Sequence, residues 1–70
     1  MNNKQKLSKR QVEVITLIGL GYSDKQIGTK LGISYGTVRG HIGKITAKLG
    51  AQNRTQAVLN YKLQNKEWLE

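Results

Sequence analysis

The chain has no cysteine, no proline and no phenylalanine, one histidine, and four acidic residues among its 70. Each shortage excludes something. Without cysteine there is neither a disulfide framework nor a thiolate metal site, and a single histidine cannot build a zinc site alone. So few acids, with one imidazole and no thiol, give no readable pairing of nucleophile and base, so no enzymatic activity is expected. The glycines lack the G-x-x-x-x-G-K spacing of a phosphate-binding loop. No cofactor is implied. Without proline, nothing forces a break in the chain. No apolar run approaches the ~18 residues of a membrane span. The N-terminal stretch MNNKQKLSKR lacks the apolar core of a signal peptide. The protein is expected in the cytoplasm, away from membranes. It opens on Met1, as a complete gene product would, although an excised domain could look the same.

What is present is positive charge. Twelve Lys and Arg against four acids leave a net charge of +8. Such an excess favours a polyanionic partner, nucleic acid such as double-stranded DNA or an anionic membrane surface. Residues 1–22 sum to +3, residues 23–50 to +4 and residues 51–70 to +1. Seventy residues make at most one small domain, marginal as a free monomer, for which oligomerisation is the remaining reinforcement. The chain divides into a basic extension at 1–6, a helical domain at 7–64 and a short tail at 65–70.

Capping signals divide the domain into four helices. Ser8 with Gln11 and Ser23 with Gln26 are S-x-x-Q capping boxes. Leu7 stands before the first cap as a staple, and Val14, Ile15, Leu17 and Ile18 give the first helix its apolar face. Asp24 suits the positive end of the second helix and Lys30 its other end. Gly32 sits where a left-handed cap is needed, and Ser34 opens the third helix after it. Val38, Ile42, Ile45 and Leu49 keep the spacing of one buried stripe in that helix, about 34–49, which Gly50 ends. Asn53 opens the fourth helix, with Ala57, Val58 and Tyr61 on its apolar face. Beyond Gln64 the pattern weakens, and Trp68 and Leu69 could dock on a core or a partner.

Two helices joined by a short glycine-containing turn form a helix-turn-helix unit, in which the second helix enters the major groove of DNA. Gly28 gives a small residue where the two helices cross, with Ile33 and Val38 to plug the crossing. At about 100° per residue, Gly36, Gly40, Gly43 and Ala47 fall directly opposite Val38 on the third helix. This small-residue stripe lies on the face that would meet DNA. Bare backbone at Gly40 and Gly43 would let the helix sit close to the groove. Arg39 on its flank is the best candidate for a base contact, because arginine reads guanine through two hydrogen bonds. Lys25, Lys44, Lys48, Ser34 and Thr37 suit phosphates, and Tyr35 suits a sugar or phosphate. His41 is expected to pack at the core boundary.

Residues 7–58 resemble the LuxR/GerE family of bacterial helix-turn-helix regulators. The resemblance is carried by "LSKRQVEVITLIGLGYSDKQIG", "KLGIS", "TVRGHI", "KLG" and "NRTQAV", in that order, over roughly three-quarters of the chain. It implies an all-α, four-helix domain whose third helix reads DNA and whose fourth forms a dimer contact. On this chain the dimer helix maps to about Arg54–Leu63, with Arg54, Ala57, Val58 and Tyr61 as interface candidates. It also implies that Arg39 and Thr37 touch DNA and that Lys48 is the lysine of the "KLG" pattern. The chain looks like the small stand-alone, GerE-like members. It departs from the family at Gly40 and Gly43, where larger polar side chains are common; base preference would then rest on Arg39, Lys44 and DNA shape.

The expected function is sequence-specific regulation of transcription by a homodimer. One competing reading is an interaction protein that pairs with a larger LuxR-type regulator and inhibits it; the +8 charge argues against it. Another is a polymerase-binding module like region 4 of sigma factors, which shares the "S-x-x-T-V-R" type of helix and would make RNA polymerase a partner. "KLGAQNRTQAV" favours the LuxR/GerE pattern.

Overall fold

Each helix begins one residue after a side chain able to cap it. The structure, a computed structural model, describes residues 6–65. It contains α1 (Lys9–Gly19), α2 (Asp24–Leu31), α3 (Tyr35–Lys48) and α4 (Arg54–Gln64), with no strand among the described residues. Residues 1–5 of the basic extension, and residues 66–70 of the tail with Trp68 and Leu69, lie outside the described residues.

Ser8 and Ser23 each accept a hydrogen bond from the third backbone N–H of their helix, at 3.2 and 3.1 Å. Gln11 and Gln26 return the bond to the cap's own N–H, at 2.9 and 2.8 Å. Both capping boxes are therefore complete. Ser34 caps α3 and Asn53 caps α4 through the same N-terminal contact. Gln56, three residues after Asn53, instead accepts from the backbone N–H of Gln52. Such caps satisfy donors that the first helical turn leaves without partners.

The core is built from Val14 and Ile15 of α1, Ile27 of α2, Val38, Ile42 and Ile45 of α3, Leu49, and Ala57 of α4. Leu7, Leu17, Ile18, Tyr22, Leu31 and Ile33 pack around it. α3 lies centrally and packs on all three other helices. Burial of one such aliphatic side chain is worth about 1.5–3 kcal/mol, so the α3 stripe anchors the helix in spite of its glycines.

The α2–α3 turn is set by two glycines. Gly32 takes the left-handed conformation, φ 71°, and lets the chain reverse. Gly28 is buried, and a Cβ there would stand 2.7 Å from the carbonyl oxygen of Ile33 and 3.6 Å from Val38 Cγ2. The Ile33 N–H donates to the Gly28 carbonyl at 3.0 Å, closing the turn over the missing side chain. At the other end of α3, Asn60 of α4 donates from Nδ2 to the Leu49 carbonyl at 3.0 Å.

The structure shows where the residues expected at a dimer contact stand within the chain. Ala57 is 2% exposed and belongs to this chain's own core. Val58 and Tyr61 are half-buried against the same core. Arg54 is turned onto α2 (below). The large apolar side chains that α4 presents outward are Leu59 and Leu63, 54% and 57% exposed, which stand four residues apart and share a face.

Candidate nucleic-acid interface

α3 buries Val38, Ile42 and Ile45 and turns its opposite side outward. On that side Gly36, Gly40, Gly43 and Ala47 are all exposed. A Cβ placed on Gly40 or Gly43 would meet nothing within 4 Å, and one on Gly36 only Ser34 Oγ at 4.0 Å. These glycines therefore serve no packing against another helix of the chain. They leave a strip of bare backbone along the exposed face.

Polar groups stand on both flanks of the strip. At the start of α3, Ser34 Oγ accepts from the Thr37 N–H at 3.0 Å and shares a hydrogen bond of 2.9 Å with Thr37 Oγ1. Both hydroxyls sit at the positive end of the helix, where an anionic oxygen is favoured. Lys25 at the start of α2 and Lys44 on α3 are exposed. His41 is half-buried at the edge of the core.

Arg39 and Tyr35, four residues apart, form a unit. Arg39 Nη1 donates to the Tyr35 hydroxyl at 2.9 Å, and the guanidinium carbon lies 5.6 Å from the ring centroid. Arg39 Nε is also 3.9 Å from Asp24 Oδ2. Asp24 in turn receives both Nη atoms of Arg54, Nη2 at 2.9 Å on Oδ2 and Nη1 on Oδ1. Its side chain is only 11% exposed, against 57% for Arg39. The Arg54 hydrogen bonds hold the Asp24 carboxyl below its ordinary pKa, against burial that pushes it up, and the charges of Arg54 and Arg39 add to the lowering. The same bond raises the Arg54 pKa. Arg54, expected on a dimer face, thus ties the start of α4 to the start of α2.

Lys48 is also drawn inward. Its Nζ donates to Gln11 Oε1 at 3.0 Å and to the Lys6 carbonyl at 3.2 Å. Gln11 is the buried polar side chain of the core, 5% exposed, and its one oxygen serves both the α1 cap and this lysine. Lys48 therefore clasps the last turn of α3 to the entry of α1. The Asp24–Arg54 and Gln11–Lys48 pairs are the contacts that sequence reasoning missed. They join residues 30 and 37 positions apart, and no local spacing signals them.

The site is thus a central helix with a smooth outer strip, flanked by hydroxyls, an arginine and lysines, in a strongly basic chain. Residues 5–60 match the family described as GerE, bacterial regulatory proteins, luxR family. The chain belongs to the luxR family. This is a family of DNA-binding regulators of transcription, which are not enzymes. A solved structure of the transcription factor GerE superposes with a TM-score of 0.78 at 41% identity, covering 87% of this chain and 90% of that one. The four-helix arrangement is that of the GerE fold. Over 53 residues the chain is 45% identical to YhjB of Escherichia coli (strain K12) and 42% identical to the transcriptional regulatory protein LnrK of Bacillus subtilis (strain 168). It is also 42% identical to the response regulator protein VraR of Staphylococcus aureus (strain Mu3 / ATCC 700698). The match takes in 76% of this chain but 26%, 24% and 25% of those three relatives. The chain therefore spans about a quarter of the length of the curated relatives it matches. Among the described residues, no helix is long and apolar enough to cross a membrane.

Proposed function

We propose that this luxR-family chain is a sequence-specific regulator of transcription that lays α3 in the major groove and acts as a homodimer. The observation that carries the reading is the strip of exposed glycine backbone on α3, opposite its buried stripe and flanked by Arg39, Thr37 and Lys44. A helix with no side chains on that side can approach base edges closely, and the long residues on its flanks reach the groove walls. Arg39 is the base-reading side chain. Lys25, Lys44, Ser34, Thr37 and Tyr35 hold phosphates and sugars, joined by the N–H groups at the starts of α2 and α3. Lys48, committed to Gln11 and Lys6, supports the helix from behind.

The homodimer forms through the face of α4 on which Leu59 and Leu63 stand exposed, four residues apart. Two-fold pairing would read an inverted repeat with half-sites about one helical turn apart. The same face would serve pairing with a larger relative, as an inhibitor requires.

Selection of bound sequences from a pool of random duplexes tests both parts. A palindromic sequence, bound with an affinity that falls with salt at a log–log slope of about −0.9 per phosphate neutralised, is expected. A pool that shows no enrichment, or binding indifferent to salt, sinks the DNA reading. Enrichment of a single half-site alone sinks the homodimer.

A further inference from the structure

We propose that Asp24 and Tyr35 form a cradle that orients the Arg39 guanidinium, making Asp24 a positioning residue for base discrimination although it does not itself touch DNA. The inference rests on the DNA-binding reading above and adds a determinant that lies on α2, outside the reading helix.

The argument starts from the number of donors. A guanidinium carries five N–H groups in a rigid fork. The Tyr35 hydroxyl takes one of them, on Nη1. Asp24 Oδ2, at 3.9 Å from Nε, is too distant for a hydrogen bond and acts as a fixed countercharge. Four N–H groups are left, enough for the two parallel bonds by which arginine reads guanine. A long exposed side chain loses considerable rotamer freedom on being fixed. Tethers already present in the free protein reduce that loss, provided they hold still.

Asp24 is built to hold still. Its carboxylate is largely buried, sits at the N-terminal end of α2, and receives both Nη atoms of Arg54. Arg54 neutralises it, so that it can stand near DNA without repelling phosphates strongly. Arg54 also leaves Oδ2 in place to face Arg39. Three helices thus contribute to the aim of one side chain: α3 carries it, α2 supplies the carboxylate, and α4 fixes the carboxylate.

The test compares two duplexes: one enriched from random sequence by the wild-type chain, and a scrambled duplex of the same composition. The readout is the ratio of the two affinities for the full chain. In Asp24→Asn the ratio is expected to fall about five- to tenfold, part of the discrimination of one bidentate contact. A role confined to stability or overall charge shifts both affinities together and leaves the ratio unchanged. In an Arg39→Ala background, Asp24→Asn should move the ratio no further. Thermal melting followed by circular dichroism establishes that each variant is folded. If Asp24→Asn does not fold, Tyr35→Phe decides. It removes the hydroxyl tether from an exposed side chain, leaves the Asp24–Arg54 pair intact, and should lower the ratio two- to threefold, by roughly half a bidentate contact or less. An unchanged ratio in the folded variant, or an equal fall with and without Arg39, overturns the inference while wild-type selectivity stands. Absence of any wild-type preference overturns the DNA reading itself, and the cradle with it.

Discussion

Alanine at both Gly40 and Gly43 should raise the stability of this domain and weaken its hold on DNA. In the structure a Cβ at either position meets nothing within 4 Å, so no steric cost offsets the gain in the free protein. Glycine in a helix interior costs up to about 1 kcal/mol relative to alanine. Two replacements in α3 therefore contribute about 2 kcal/mol. For a domain of this size each kcal/mol moves the melting temperature by roughly 4–8 °C. The double variant should thus melt roughly 8–16 °C higher, read from the helical signal at neutral pH. The two methyl groups stand on the side of α3 opposite Val38, where the helix would press into the groove. They would push the backbone out and stretch the contacts made by Arg39 and Lys44. A loss of at least about tenfold in affinity for the selected duplex, about 1.4 kcal/mol, is expected. Higher stability with unchanged affinity would refute the close approach and leave the glycines as merely tolerated. Stability that did not rise would refute the openness of the strip itself.

Other substitutions check other links. Gly28→Ala should cost about 1–3 kcal/mol, as overpacking does, because its Cβ meets the Ile33 carbonyl oxygen at 2.7 Å; urea denaturation measures this. Lys48→Ala should lower stability and leave the salt slope of DNA binding untouched; a slope smaller by about 0.9 would instead make Lys48 a phosphate ligand. Leu59→Glu with Leu63→Glu should leave the chain folded, since both side chains are exposed, yield monomers in sedimentation and remove the concentration dependence of the melting temperature. The Asp24 carboxyl titrates below its unfolded value because Arg54 holds it ionised. Its contribution to stability is therefore complete above the unfolded pKa of about 3.9 and is lost as pH falls through the lower folded value. Acid titration of wild type and Asp24→Asn, followed by helical signal, should show that the difference between them shrinks below about pH 4.

The helix boundaries were legible because their causes are local. Ser8 and Gln11, Ser23 and Gln26, and Gly32 lie within one turn of the ends they define, so spacing alone reveals them. The face of α3 was legible because Val38, Ile42 and Ile45 repeat at the helical period. The Gly28 crossing followed from its place before a short turn. Lys48 was not legible. It shares a flank of α3 with Lys44, and only the docking of α1 decides which lysine meets Gln11. The contacts that Ala57 and Arg54 make within the chain were not legible for a related reason. An apolar face on α4 is visible in the sequence, but whether it covers its own core or a second copy depends on how α4 is rolled against α1 and α3. The structure rolls Ala57 inward and Leu59 outward.

The clasp between Lys48 and the Lys6 carbonyl has a geometric consequence. It brings the stretch leading into α1 against the last turn of α3. Lys6, the first of the described residues, is thereby held beside the C-terminal end of α3. Cutting that single clasp would free the entry to α1 from α3 while leaving the exposed glycine strip untouched.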